Sequence, residues 1–143
     1  MYDIYAPIIP HIGMGGFLLN MSKEEAETVL GRSLGEGEPM HKGAWREYVV
    51  DDVLTLCFCV AQNKLKVIQT ERGYKGVLLG KISTSTDEAD LMKLDPTLVY
   101  NEFEEFYESK EHGYQIETNL PDEKAEWISI STDDWAESRH IKP

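Results

Sequence analysis

The spacing of apolar and polar residues predicts a helix near the start of the chain. An apolar run opens the segment from Gly16 to Gly31, and the stripe at helical spacing that follows consists of Ala26, Val29 and Leu30. Ser22 and Glu25 stand at the N-cap and N3 positions of a capping box, in which each side chain accepts a backbone N–H from the other residue. Gly31 fits the left-handed position that ends many helices. We therefore expect a capped helix over about residues 23–30.

Runs of alternating or uniformly apolar residues predict six strands after this helix. The clearest is Val53 to Val60, which carries no charge on either face and is typical of a central strand. The other five cover residues 44–50, 64–70, 98–109, 114–119 and 126–132. Residues 98–109 fit two structures, because their aromatic residues also have a helical spacing. We favour a strand there and keep a helix as the alternative.

A later segment repeats the signals of the first helix. Gly76 to Leu79 matches the first apolar run, and Ser85 to Ala89 again has the pattern S-x-x-E-A. This repetition predicts a second helix over about residues 86–94, ended by Pro96. The alternative is a chance similarity, because capping boxes occur in many unrelated helices.

The repeated order of elements predicts an α+β fold. We expect an antiparallel sheet of about six strands with two helices on one face, built from two tandem α-β-β-β repeats. The repeats would cover residues 16–72 and 76–132, after an N-terminal arm of residues 1–15. A chain of 143 residues fits a single domain, which would comprise residues 1–143.

The charge balance narrows the choice of partners. The chain has 14 Lys plus Arg against 26 Asp plus Glu, a formal net charge of −12. Such a surface repels nucleic acid and anionic membranes and favours a basic protein partner. The alternative is that the acidity only keeps the protein soluble. No apolar run reaches the roughly 20 residues that cross a bilayer, and the first residues lack the pattern of a secretory signal, so we expect a cytoplasmic protein.

The residues that could carry catalysis or bind metal are few and scattered. The four histidines fall in predicted loops or the C-terminal tail, and none lies in the context of a nucleophile and its base. Cys57 and Cys59 lack the second ligand pair of a metal site, and their spacing puts both on one face of a strand. The glycines at 13–16 are followed by no Lys in P-loop register. We therefore predict no enzymatic activity, no cofactor and no metal.

Acidic residues interleaved with aromatic residues give the best candidates for a binding surface. Aromatic side chains supply contact area at interfaces, while carboxylates pair with Lys and Arg of a basic partner. The candidate contacts are Asp51, Asp52, Glu102, Glu104, Glu105 and Glu108, with Tyr100, Tyr107 and Trp135 as aromatic anchors. The alternative for this run of carboxylates is a solvated surface with no partner.

Three segments resemble small bacterial immunity proteins of the contact-dependent growth inhibition type. The first is G-G-F-x-L-x-M-S-x-E-E-A-x-x-x-L-G, from Gly15 to Gly31. The others are Y-K-G-V-L-L-G-K-I and D-P-T-L-V-Y-N-E-F-E-E-F-Y-E-S, at 74–82 and 95–109. The first motif is also similar to one in domains like the beta-lactamase inhibitory protein, which consists of tandem helix-plus-sheet repeats. Asn20 stands here where that motif has Gly.

The resemblance implies a single-purpose inhibitor. Such a protein stays in the cytoplasm as a monomer and binds the C-terminal toxin domain delivered by a neighbouring cell. It blocks the active site or a substrate-binding surface of the toxin, which in many cases is a nuclease. Two other hypotheses remain open at this point: an acidic adaptor or inhibitor of a host protein, and a small-molecule binder or enzyme with a pocket between helices and sheet.

Overall fold

The computed structural model describes residues 1–120 and 122–138, which form an eight-stranded antiparallel sheet, a two-stranded ribbon and short helices. The strands are β1 (Gly13–Met14), β2 (Phe17–Leu18), β3 (Glu38–Met40), β4 (Trp45–Val50), β5 (Leu54–Cys59), β6 (Lys64–Thr70), β7 (Val99–Asn101), β8 (Phe106–Ser109), β9 (Tyr114–Glu117) and β10 (Trp127–Ser131). The α-helices are α1 (Lys23–Leu30), α2 (Leu91–Leu94) and α3 (Asp133–Ser138), and 3-10 turns cover His41–Gly43 and Glu88–Asp90. No helix in the described ranges has both the length and the apolar character needed to span a bilayer.

The first helix forms as its sequence predicts. The Ser22 hydroxyl accepts the backbone N–H of Glu25 at 3.0 Å, and the Glu25 carboxylate accepts the backbone N–H of Ser22 at 3.0 Å. Gly31 ends the helix with φ of 83°, a left-handed conformation in which glycine has no Cβ penalty. Asn20 has φ of 73°, so it adopts the left-handed conformation that the related motif assigns to Gly.

The prediction of a second capped helix over 86–94 is confirmed only in part, because the segment is helical from Glu88 to Leu94 but has no cap at Ser85. A 3-10 turn and the single turn of α2 occupy this segment. Backbone bonds to the loop before β10 explain the difference, because Ala125 N donates to Thr86 O at 2.9 Å and Glu88 N donates to the carbonyl of Glu123 at 2.8 Å. The Ser85 hydroxyl pairs with Ser83 Oγ at 3.0 Å and caps no helix.

The sheet has eight strands where the sequence predicted about six. Its order is β3-β4-β5-β6-β10-β9-β8-β7, and all neighbours are antiparallel. One extra strand, β3, lies in a segment where no strand was predicted. The other arises because residues 98–109 bend into the β7–β8 hairpin, with Glu105 at φ of 57° in its turn. Neither a single strand nor a helix describes that segment.

The strand order is the same when it is read from either edge. From one edge to the centre the strands are β3, β4, β5 and β6. From the other edge to the centre they are β7, β8, β9 and β10. The last strand of each half, β6 and β10, meet at the centre of the sheet.

One face of the sheet carries the hydrophobic core. Leu56 of β5, Ile68 of β6 and Ile128 of β10 are completely buried. α1 and α2 add Ala26 and Leu91 to the same cluster, so both helices pack on this face. Burial of one such aliphatic side chain contributes about 1.5–3 kcal/mol. The two predicted helices therefore occupy one face, although α2 is only four residues long.

The N-terminal residues are tied to this core by Tyr74. Its hydroxyl accepts the backbone N–H of Gly15 at 2.9 Å and donates to the carbonyl of Ala6. Burial raises the pKa of Tyr74 to about 12, so the phenol stays protonated and keeps both bonds at neutral pH.

The opposite face, here called the open face, carries a row of polar side chains. The register of five adjacent strands, from β5 to β8, aligns Thr55, Gln69, Ser129, Gln115 and Glu108. Because alternate residues of a strand point to opposite faces, these side chains point away from the core.

Candidate functional site

The turn between β7 and β8 projects a single aromatic side chain into solvent. This turn, Glu102–Glu105, is here called the acidic tip, and its Phe103 is 100% exposed. The Asn101 side-chain carbonyl accepts the N–H groups of Phe103 and Glu104, both at 3.0 Å. Glu105 N also donates to Asn101 O at 2.8 Å. These bonds fix the backbone of the turn, so Phe103 is held in an outward position.

The acidic tip brings together three of the predicted contact residues. Glu102, Glu104 and Glu105 are all exposed and surround Phe103 in the sequence. Phe103 itself was not among the predicted contacts. The signal for it was an aromatic residue between carboxylates, but a continuous strand or helix over 98–109 does not place a turn there.

The two predicted tyrosine anchors lie behind the acidic tip. Tyr100 and Tyr107 are paired across the hairpin with ring centroids 4.8 Å apart. The Tyr107 hydroxyl donates to Glu88 at 2.8 Å and so ties the hairpin to the segment before α2. Burial, followed by the bond to Glu88, raises the pKa of Tyr107 to about 12. Tyr107 thus supports the hairpin, while Tyr100 is 43% exposed and contributes to the surface.

Glu108 lies on the open face between two cavities. It accepts a hydrogen bond from the side-chain amide of Gln115 at 2.8 Å. A groove of about 620 Å³ runs beside it along the edge strand β7, and Val99 and Phe103 also line this groove. A smaller pocket of about 240 Å³ lies on the other side of Glu108. His11, from the N-terminal segment, and residues of β9 and β10 line this pocket.

The predicted contacts Asp51 and Asp52 lie away from the acidic tip. They form the β4–β5 turn, which is at the same end of the sheet but five strand positions from the β7–β8 turn. At ~4.8 Å per strand this separation is about 24 Å. Both residues have positive φ, 53° and 55°, and Asp51 forms an ion pair with Arg32 at 2.7 Å. A partner of ordinary size can contact both turns, since standard interfaces are about this wide.

Trp135 is placed at the other end of the sheet. It lies on α3 and packs edge-on against Trp45, with ring centroids 3.9 Å apart. Asp134 anchors α3 through an ion pair with Lys66 at 2.9 Å, and the Lys66 side chain is only 5% exposed. Trp135 therefore packs against the protein itself and is not brought next to the acidic tip.

Sequence reasoning also missed a carboxylate on the open face, directly after the end of β6. Glu71 accepts hydrogen bonds from the Thr55 hydroxyl at 2.8 Å, from Gln69 at 3.2 Å and from the Trp127 indole at 3.2 Å. Burial, with the nearby charges of Glu38 and Glu71, raises the pKa of Glu47 on strand β4. Negative charge therefore continues across this face between the two acidic turns.

The histidine and cysteine side chains are dispersed over the described part of the chain. Within residues 1–120 and 122–138, no group of three or more His, Cys, Asp or Glu side chains is placed to hold a metal ion. His11 and His112 each face a carboxylate, Asp133 at 3.4 Å and Asp95 at 3.7 Å. Cys57 and Cys59 are both reduced cysteines on β5. The arrangement presents charge and aromatic area at its surface, which suits binding of another molecule.

Comparison with known proteins does not assign a family. No protein-family model, no curated protein and no solved structure matches this chain.

Proposed function

We propose that the chain is an immunity protein that neutralises a cognate toxin domain by binding it. The toxin is a basic protein, a nuclease, and the acidic tip blocks its active site or substrate-binding surface. The observation that carries this proposal is the fully exposed Phe103 held between Glu102, Glu104 and Glu105. The chain acts as a stoichiometric inhibitor, with no enzymatic activity and no cofactor of its own.

The acidic tip has the features of an interface anchor. A phenylalanine outside the core contributes nothing to folding, yet its burial in a partner is worth about 1.5–3 kcal/mol. The hydrogen bonds from Asn101 hold the turn in one conformation, so little conformational entropy is lost when it binds. The surrounding carboxylates then meet Lys and Arg at the rim of the contact.

The charge of the whole chain supports a nuclease as the target. Nuclease grooves are basic because they hold phosphates. A protein of net charge −12 is drawn to such a groove and repelled from the nucleic acid that the toxin attacks. Inhibition of a toxin delivered into the cell also requires that the protein acts in the cytoplasm, where we place it.

We further infer that the scaffold consists of two tandem α-β repeats, residues 16–72 and 76–132, after an arm of residues 1–15. The symmetric strand order supports this inference, since each half of the sheet contributes four strands that end at the central β6–β10 pair. A monomer of this kind presents the β7–β8 and β4–β5 turns at one end of the sheet, where a single toxin can contact both.

A growth assay tests the proposal. The chain is expressed together with candidate basic nuclease toxin domains, including any encoded next to its own gene, and we expect it to restore growth in the presence of one of them. Replacement of Glu102, Glu104 and Glu105 by Gln should abolish this protection.

The control removes the same charge elsewhere. Asp3, Glu24 and Glu36 are also exposed, and replacing these three by the corresponding amides should leave protection intact. Failure of the unaltered chain to protect would contradict the proposal and favour an acidic adaptor of a host protein. Equal loss in both triple variants would show that net charge acts without the acidic tip.

A further inference from the structure

The small pocket beside Glu108 is built from parts of the chain that are distant in sequence. His11 comes from the N-terminal segment, Gln115 from β9 and Ser131 from β10. Its volume of about 240 Å³ is below the 300–1,000 Å³ of sites for drug-sized ligands. The pocket is therefore of a size for one long side chain or a similarly small molecule.

Gly113 makes the wall of this pocket possible. A Cβ at this position would lie 2.2 Å from His11 Nε2, so the imidazole packs directly on the glycine backbone. Gly113 also has φ of 79°, where other residues are strained. The imidazole is oriented by Asp133, whose carboxylate is 3.4 Å from His11 Nδ1.

The polar groups of the pocket are mainly acceptors. Glu108 and Asp133 contribute two carboxylates against the single ammonium group of Lys110. The hydroxyls of Ser129 and Ser131 add further acceptor oxygens. Glu108 accepts a bond from Gln115, and a carboxylate can accept about four. Walls made largely of carbon complete a site for an aliphatic stem with a positively charged head.

The pocket is continuous with the surface that carries the acidic tip. Glu108 and Lys110 line both the pocket and the groove along β7, and Phe103 stands at the other end of that groove. A partner that buries Phe103 therefore has its own surface beside the pocket.

We infer that this pocket receives the guanidinium group of an arginine side chain from the toxin that the chain neutralises. A guanidinium presents five N–H donors in a plane and pairs with carboxylates in a two-pronged fashion, which matches two carboxylates and two hydroxyls. The identity of the partner rests on the proposed function, whereas the ligand class rests on the pocket alone.

The ligand class is tested with blocked amino acids as probes. N-acetyl-arginine amide is titrated into the full chain, and backbone amides of Gly113, Gln115 and Ser131 are followed by NMR. We expect saturable shifts with a Kd on the order of 1 mM, typical of a ligand this small. N-acetyl-citrulline amide has nearly the same shape without the charge and should bind about tenfold more weakly. Equal shifts with both probes, or none with arginine, would overturn the inference.

A matched pair of variants locates the site. Glu108→Gln should weaken binding of the arginine probe about tenfold, as expected when a charge-assisted hydrogen bond is lost. Glu117→Gln removes an exposed carboxylate of the adjacent strand outside the pocket and should change nothing.

The toxin itself supplies the last comparison. If the toxin domain binds the unaltered chain and the Glu108→Gln variant equally well, its arginine does not enter the pocket and the inference is wrong. If the arginine probe binds as expected but no toxin domain does, the proposed function fails while the guanidinium site stands.

Discussion

Asp95 is a buried carboxylate that fixes the base of the β7–β8 hairpin. It is 3% exposed and accepts bonds from Thr97 N at 3.0 Å, from Thr97 Oγ1 at 2.6 Å and from the Tyr114 hydroxyl at 2.5 Å. Burial alone would raise the pKa of Asp95, but the bonds from Thr97 and Tyr114 outweigh it and hold the pKa below its ordinary 3.8. The residues before β7 are thereby joined to β9.

Asp95→Asn should destabilise the protein by roughly 1.5–3 kcal/mol at pH 7, because bonds to a charged acceptor are lost. The folded-state pKa is depressed, so the stabilisation is complete above the unfolded pKa of about 3.8 and is lost as pH falls through the lower folded pKa. Urea unfolding at several pH values measures this. The difference in free energy of unfolding between the unaltered chain and the Asp95→Asn variant should stay constant from pH 7 to 5 and narrow below pH 3.8. A difference that does not change with pH would contradict the role of the ionised Asp95 carboxylate.

At the scale of elements, two segments with the same S-x-x-E-A pattern form different structures. Ser22 and Glu25 cap α1 because the tertiary bonds of their neighbours, such as Lys23 N to Asn63 Oδ1 at 3.2 Å, leave the groups of Ser22 and Glu25 available to each other. Ser85 and Glu88 do not form this pair, since the backbone from Thr86 to Glu88 is bonded to the loop before β10. Tertiary pairing has replaced a local preference in the second segment.

Substitution of the two serines separates these cases. Ser22→Ala should cost about 1 kcal/mol of folding free energy, the usual value of an N-cap. Ser85→Ala should cost less than about 0.5 kcal/mol, because its hydroxyl only pairs with Ser83 at an exposed position. Thermal or urea unfolding of both variants provides the comparison, and equal losses would mean that Ser85 caps a helix after all.

The sequence was sufficient for elements whose signals are local. β5, β6, β9 and β10 follow from their apolar or alternating runs, and α1 follows from its caps. The β7–β8 hairpin could not be located, because its turn depends on the Asn101 side chain bonding to two backbone N–H groups. Alternation continues through such a turn, so residues 98–109 resembled one long strand.

At the scale of the whole molecule, the fold gathers acidic residues at one end of the sheet. The β4–β5 and β7–β8 turns share this end, and Glu71 lies between them on the open face. Composition leads to the expectation of a basic partner and to candidate acidic contacts, and both stay predictions. It could not predict the exposure of Phe103 or the pocket beneath His11, because both depend on contacts between residues far apart in sequence.

Electrostatic attraction should dominate the rate of association with the toxin domain. Raising the salt concentration from about 10 mM to about 1 M shortens the screening length from about 30 Å to about 3 Å. We expect the association rate constant to fall at least tenfold, while the dissociation rate constant changes little. Stopped-flow or surface-based kinetics measures both constants. An association rate constant that does not change with salt concentration would show that electrostatic attraction does not drive association.

The dissociation constant of the complex between the Phe103→Ala variant and the toxin domain that the chain neutralises tests the central claim most directly. Phe103 makes no contribution to the core, so the variant should fold as the unaltered chain does and bind roughly 10- to 100-fold more weakly. Tyr5→Ala, which removes another exposed aromatic residue, should bind as tightly as the unaltered chain. Tight binding that survives the loss of Phe103 would contradict the acidic tip as the inhibitory surface.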